Sequence, residues 1–121
     1  MIDPVKQFND EKFERINSYS ANTSLMKAAK DFNLESNIAK YSYNFSWMGR
    51  PIIAYPQDMI AMQELIWDIK PNIIIEAGVA HGGSIVYYAS LLELIGTEGI
   101  VIGIDIDILI AVIIDISGLL V

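Results

Sequence analysis

From residue 58 onward, apolar and polar positions fall into blocks that predict an α/β order. Met59, Met62, Leu65, Ile66 and Ile69 recur at helical spacing after Asp58, the expected N-cap, and Lys70-Pro71 stops the run. Ile73 to Ala77 reads IIIEA, a β-branched stretch apolar on both faces, as a buried parallel strand requires. A glycine-rich turn follows from Gly78 to Gly83. The next helix, Ser84 to Ile95, carries Ile85, Tyr88, Leu91, Leu92 and Ile95 and closes at Gly96, a good C′ residue. Ile100 to Asp105 (IVIGID) is a second buried strand. Helix, strand, loop, helix, strand opens a doubly wound α/β fold. The strands at 73–77 and 100–105 are therefore expected side by side and parallel, joined through helix 84–95.

Upstream the pattern is polar and helix-like. Asp3-Pro4 can start a helix, and Val5, Phe8, Phe13 and Ile16 give it a patchy apolar stripe. A second helical stretch runs near Leu25 to Asp31. Tyr41 to Trp47 is aromatic and reads as extended, while Met48 to Pro51 and Tyr55-Pro56 are turn signals. The tail from Ile108 to Val121 is almost wholly aliphatic, broken by Asp115, Ser117 and Gly118. A membrane span there would have to include Asp105, Asp107 and Asp115, each costing roughly 2.5–3.5 kcal/mol against about 0.3–0.6 returned per aliphatic residue. Membrane association through 108–121 is thus disfavoured. The tail is instead expected to cover the sheet as a substitute strand or helix.

Composition narrows the function classes. The 121 residues suit one domain, and 53% hydrophobic content excludes a disordered chain. A net charge of −7 argues against a nucleic-acid partner, because an acidic surface repels phosphate backbones. There are no cysteines, so disulfides and cysteine-ligated zinc drop out. Met1 to Arg15 lacks the apolar core of a secretory signal, which makes a cytoplasmic setting the default.

The chemistry concentrates in EAGVAHGGS, Glu76 to Ser84. A carboxylate ends a strand, and a glycine turn opens a helix. Gly78 permits the turn, and Gly82 and Gly83 leave main-chain N–H groups open to an anionic group at the helix start. Ser84 adds a hydroxyl and can cap the helix, His81 sits in the turn, and Asp105 ends the next strand where a ribose diol would be held. A turn with no ligand is the bland alternative. A dinucleotide fingerprint would need glycine where Ala80 stands and would not place Glu76 beside a pyrophosphate. No lysine follows the glycines, so a phosphate loop of the nucleotide-hydrolase type fails. Glu76 suits a cationic group, such as the amino group of an amino-acid-like cofactor.

With Trp47-Met-Gly, Tyr55 to Met59 (YPQDM), Gln63 to Leu65, Lys70-Pro71, Ile75 to Ser84 and Ile102 to Asp107 (IGIDID), residues 45–108 resemble the cephalosporin hydroxylase / rhamnosyl O-methyltransferase family. The resemblance implies a Rossmann-like, S-adenosylmethionine-dependent methyltransferase fold, here its N-terminal half with a helical N-terminal extension. On that basis 1–46 is the extension, 47–108 the cofactor-binding half and 109–121 a tail that departs from the family pattern. Glu76, Gly78, Gly82, Gly83 and Ser84 would surround the methionine part of the cofactor, with His81 as a further contact, and Asp105 would hold the ribose. Asp107 reads as a cap for a following helix, and Trp47 as a packing residue against the first helix. The implied acceptor is a hydroxyl on a sugar, glycolipid or related small molecule.

The family continues after the second strand with a basic helix and more strands, on which magnesium ligands and a general base lie in related enzymes. Nothing here matches them. The expectation is a truncated or frame-disrupted copy, inactive alone and prone to self-association, with its catalytic residues unassigned. A non-catalytic cofactor-binding remnant and a membrane-associated fragment are the alternatives, with a dinucleotide module behind them.

Overall fold

The computed structural model describes residues 3–106 and 112–115. The chain divides into two compact units, Met1–Ala39 and Lys40–Val121.

The first unit holds two helices. α1 spans Pro4–Tyr19, with Pro4 in its first turn. The Asp3 carboxylate accepts hydrogen bonds from the N–H groups of Val5 (2.9 Å) and Lys6 (3.4 Å), which is the expected cap. α2 spans Thr23–Ile38, longer than its apolar pattern predicted, and the Asn22 side chain accepts from Leu25 N–H at 3.0 Å. Lys6–Asp10, Glu11–Arg15 and Lys27–Asp31 pair one turn apart on these helices. The stripe of Val5, Phe8, Phe13 and Ile16 stays exposed.

In the second unit, Tyr41–Asn44 forms a 3₁₀ turn rather than the extended segment expected, and only then does β1, Phe45–Trp47, begin. β1 pairs antiparallel with β2, Arg50–Ile52. Met48 and Gly49 both have positive φ (47° and 82°), as a two-residue type I′ turn requires. α3 spans Pro56–Ile69. Tyr55, not Asp58, occupies the N-cap, because Pro56 fixes the first helical residue; Asp58 lies in the first turn, where its charge still suits the helix dipole. Lys70 ends α3 in the left-handed region, its N–H bonded to the Ile66 carbonyl at 2.8 Å.

β3 (Ile73–Ala77), α4 (Gly83–Ile95) and β4 (Ile100–Ile104) follow, and β3 and β4 are adjacent and parallel as expected, with Ile73 opposite Ile100 and Glu76 opposite Gly103. The core forms where α4 meets the sheet: Ile85, Tyr87, Leu91, Leu92 and Val101 are buried together with Ile52 and Ile66. Gly103 lets this happen, since a Cβ there would lie 2.6 Å from Val79 Cγ2 and 3.0 Å from Ile85 Cδ1.

The sheet departs from expectation on its other side. Ile73, Ile75 and Ile104 are 54%, 64% and 55% exposed, so the strands are not buried on both faces among the described residues. Part of the tail does add a strand: β5, Val112–Asp115, pairs antiparallel with β4, placing Ile113 opposite Ile102. The fold class is α/β, with helices and two small sheets of two and three strands. Asp107 lies outside the described residues, and among those described no helix is long and apolar enough to cross a membrane.

Candidate functional site

Between β3 and α4 the backbone alternates in hand. Gly78 (φ 87°), Ala80 (φ 47°) and Gly82 (φ 79°) all adopt the left-handed region, and Gly82 is the N-cap of α4. At Gly78 and Gly82 an added Cβ would meet nothing within 4 Å, so glycine serves the backbone conformation there. Gly83 differs. Its Cβ would lie 2.2 Å from the Pro51 carbonyl oxygen and 2.9 Å from Ile52 Cβ, so its bare Cα admits the β1–β2 hairpin against α4. The expectation that Gly83 is small to admit a ligand misses this contact.

The hairpin is fastened further along α4. Trp47 packs edge-on against Tyr87, centroids 5.0 Å apart, and its indole N–H donates to Ser90 Oγ at 3.1 Å. Trp47 therefore packs on α4. Tyr87 donates its hydroxyl to the Met59 carbonyl, which ties α3 to α4.

A cavity of about 160 Å³ opens at the carboxyl end of β3. Glu76, Gly78, His81, Gly83 and Ser84 line it; Gly82 and Asp105 do not. Glu76 is its chemical centre. Its Oε2 is buried and has no hydrogen-bond partner among the described residues. Burial pushes the Glu76 carboxyl above the usual carboxylate range, and a hydrogen bond from Ser84 pulls it back in part. Ser84 thus serves Glu76, while the α4 cap itself has no side-chain hydrogen bond. Burial, and then the Glu76 charge, raise the Tyr88 hydroxyl in turn.

Asp105 reaches back from the end of β4 to the turn. Its Oδ2 accepts the Val79 N–H at 2.7 Å and the Ala80 N–H at 3.0 Å, while Gly78 N–H extends the ladder to the Ile104 carbonyl at 2.8 Å.

Tyr88, Met59, Met62 and the hairpin exit at Pro51 to Ala54 also line the cavity, and sequence reasoning gave none of them a site role. For Tyr88 a signal existed, since it follows Ser84 by four residues and shares its helix face. Among the described residues there is no group of three or more His, Asp or Glu side chains able to hold a metal ion.

The chemistry on offer is a small anionic pocket. A buried carboxylate oxygen needs a donor, and the start of α4 presents main-chain N–H groups for an anion. A zwitterionic amino-acid group satisfies both.

Comparison with known proteins bears on the same stretch. The family described as "Rhamnosyl O-methyltransferase/CmcI" matches residues 39–111, beginning within one residue of the start of the second unit. Rhamnosyl O-methyltransferase of Mycobacterium leprae (strain TN) is 33% identical over 62 residues, covering 51% of this chain and 27% of that protein. The proteins of the same name from Mycobacterium bovis (strain BCG / Pasteur 1173P2) and Mycobacterium tuberculosis (strain ATCC 25618 / H37Rv) are 38% identical over 48 residues, 40% of this chain and 20% of each relative. No solved structure gives a significant match. The chain thus spans between a fifth and about a quarter of the length of the curated relatives it matches.

Proposed function

The chain belongs to the rhamnosyl O-methyltransferase/CmcI family, and from that premise we propose that its second unit is the cofactor half-site of an S-adenosylmethionine-dependent O-methyltransferase. The observation that carries this reading is the orphaned, buried Oε2 of Glu76 at the mouth of β3. It calls for a cationic or N–H donor. The α-ammonium of the cofactor's methionine part fits, and its carboxylate fits the amide-rich start of α4. An ammonium beside Glu76 favours the ionised carboxylate, reversing the upward push of burial. In this reading Ser84 orients Glu76, Gly78 and Gly82 shape the turn, His81 flanks the pocket, and Asp105 lies at the ribose end.

When bound, the cofactor supplies an electrophilic methyl group to an acceptor hydroxyl. The residues described here bind and orient; none is assigned as the base that takes the hydroxyl proton. The name that these relatives share favours a sugar hydroxyl as acceptor. We read the β3–α4–β4 unit as the start of a doubly wound, Rossmann-like sheet.

Equilibrium dialysis of the 121-residue chain against labelled S-adenosylmethionine tests the reading. Saturable binding of one equivalent, displaced by S-adenosylhomocysteine, is expected. Absence of saturable binding at millimolar concentrations overturns it.

A further inference from the structure

We propose that Asp105 is a positioning residue, a latch that holds the 78–82 turn in its ligand-receptive shape through the amides of Val79 and Ala80; its effect on cofactor binding rests on the function proposed above. Three observations converge. One carboxylate oxygen of Asp105 accepts two successive main-chain N–H groups, at 2.7 and 3.0 Å, from a segment 25–26 residues away. Ala80, in the middle of that segment, sits at φ 47°, where its Cβ is disfavoured, between two glycines that adopt the same hand freely. The turn leads directly into the cavity wall, since Gly78, Val79, Ala80 and His81 all line it.

These facts fit one device. Left alone, Ala80 prefers to leave the left-handed region, which would swing the Val79 and Ala80 amides and the cavity wall with them. An ionised carboxylate on both amides opposes that motion, because hydrogen bonds to a charged acceptor are about twice as strong as neutral ones. The oxygen that holds the turn already has two donors, so the contribution of Asp105 to binding includes contacts it makes to the protein itself. A residue acting only as ribose acceptor would matter only to ligands that carry the ribose hydroxyls. A latch matters to ligands with and without them.

The experiment compares the 121-residue chain with Asp105→Asn, Ala80→Gly and the double variant. Calorimetry measures S-adenosylhomocysteine and its 2′,3′-dideoxy analogue against each. The latch predicts that Asp105→Asn weakens both compounds by a similar factor, about tenfold. It also predicts that Ala80→Gly restores most of the loss in the double variant, because glycine takes the left-handed conformation without help. A loss confined to the compound with ribose hydroxyls, or one that Ala80→Gly does not restore, overturns it. Amide hydrogen exchange of the ligand-free wild-type chain gives a second test that needs no variant to fold. The Val79 and Ala80 amides should exchange at least about tenfold slower than in an unstructured peptide, and unprotected amides overturn the latch. If the wild type binds neither compound, the functional reading fails, while exchange still decides the latch.

Discussion

Replacing Gly83 by alanine separates packing from ligand approach at the start of α4. The new Cβ would sit 2.2 Å from the Pro51 carbonyl oxygen, 2.7 Å from its carbon and 2.9 Å from Ile52 Cβ. Two of these are backbone atoms, so no side-chain rotation relieves the clash, and the β1–β2 hairpin must retreat by roughly 1 Å from ordinary contact. That retreat loosens buried Ile52 and the Trp47–Tyr87 contact. Overpacking of this kind costs about 1–3 kcal/mol. The gain in helix propensity on replacing glycine, up to about 1 kcal/mol, offsets part of it. A net loss near 1 kcal/mol lowers the melting temperature of a unit this size by about 4–8 °C. Thermal and urea denaturation followed by circular dichroism would read it. Gly82→Ala is the control: it meets no atom within 4 Å and bears only the strain of φ 79°, about 1–2 kcal/mol. If Gly83→Ala melts within 2 °C (about 0.5 kcal/mol) of wild type while S-adenosylmethionine binding is lost, the packing argument is refuted and the glycine serves the ligand.

Two further outcomes follow from the same geometry. The raised Glu76 carboxyl means that the folded state holds this proton more tightly than the unfolded chain, so its contribution to stability is full below the ordinary glutamate value of 4.5 and is lost as pH rises through the higher folded value. Glu76→Gln should therefore gain stability relative to wild type between pH 4 and pH 8 in urea titrations, and a pH-independent difference would contradict the burial argument. Trp47→Phe and Ser90→Ala each remove the 3.1 Å hydrogen bond and should cost about 1 kcal/mol, with a double-mutant cycle giving a coupling of about 0.5–1.5 kcal/mol. Full additivity would show that the bond adds nothing to fastening the hairpin.

Local signals carried most of the element order. The isoleucine runs at 73–75 and 100–104, the Asp3-Pro4 start, the Lys70-Pro71 stop and the Gly96 end all reappear at or within a residue of the expected place. What sequence could not carry was non-local. Gly83 is small because of Pro51, more than thirty residues earlier, and no spacing rule reports that contact. Asp105 reaches back 25–26 residues to the turn amides, although strand-end position alone suggested only a ligand. The open face at Ile73, Ile75 and Ile104 is invisible in a run that is apolar throughout. The cavity itself was half legible. EAGVAHGGS announced the β3 and α4 wall, whereas the α3 and hairpin wall, with Met59, Met62 and Pro51, was read only as core and turn.

The central claim is that Glu76 holds a cationic amino group, and a two-by-two calorimetric cycle tests it most directly. Wild type and Glu76→Gln are each titrated with S-adenosylmethionine and with its analogue lacking the α-amino group, at neutral pH. The account predicts one saturable site in the wild type and at least about tenfold weaker binding of S-adenosylmethionine by Glu76→Gln, the range of a lost charge-assisted hydrogen bond. It further predicts that the analogue binds the two proteins equally. Equal affinity of both proteins for S-adenosylmethionine, with the fold of Glu76→Gln intact, would contradict it.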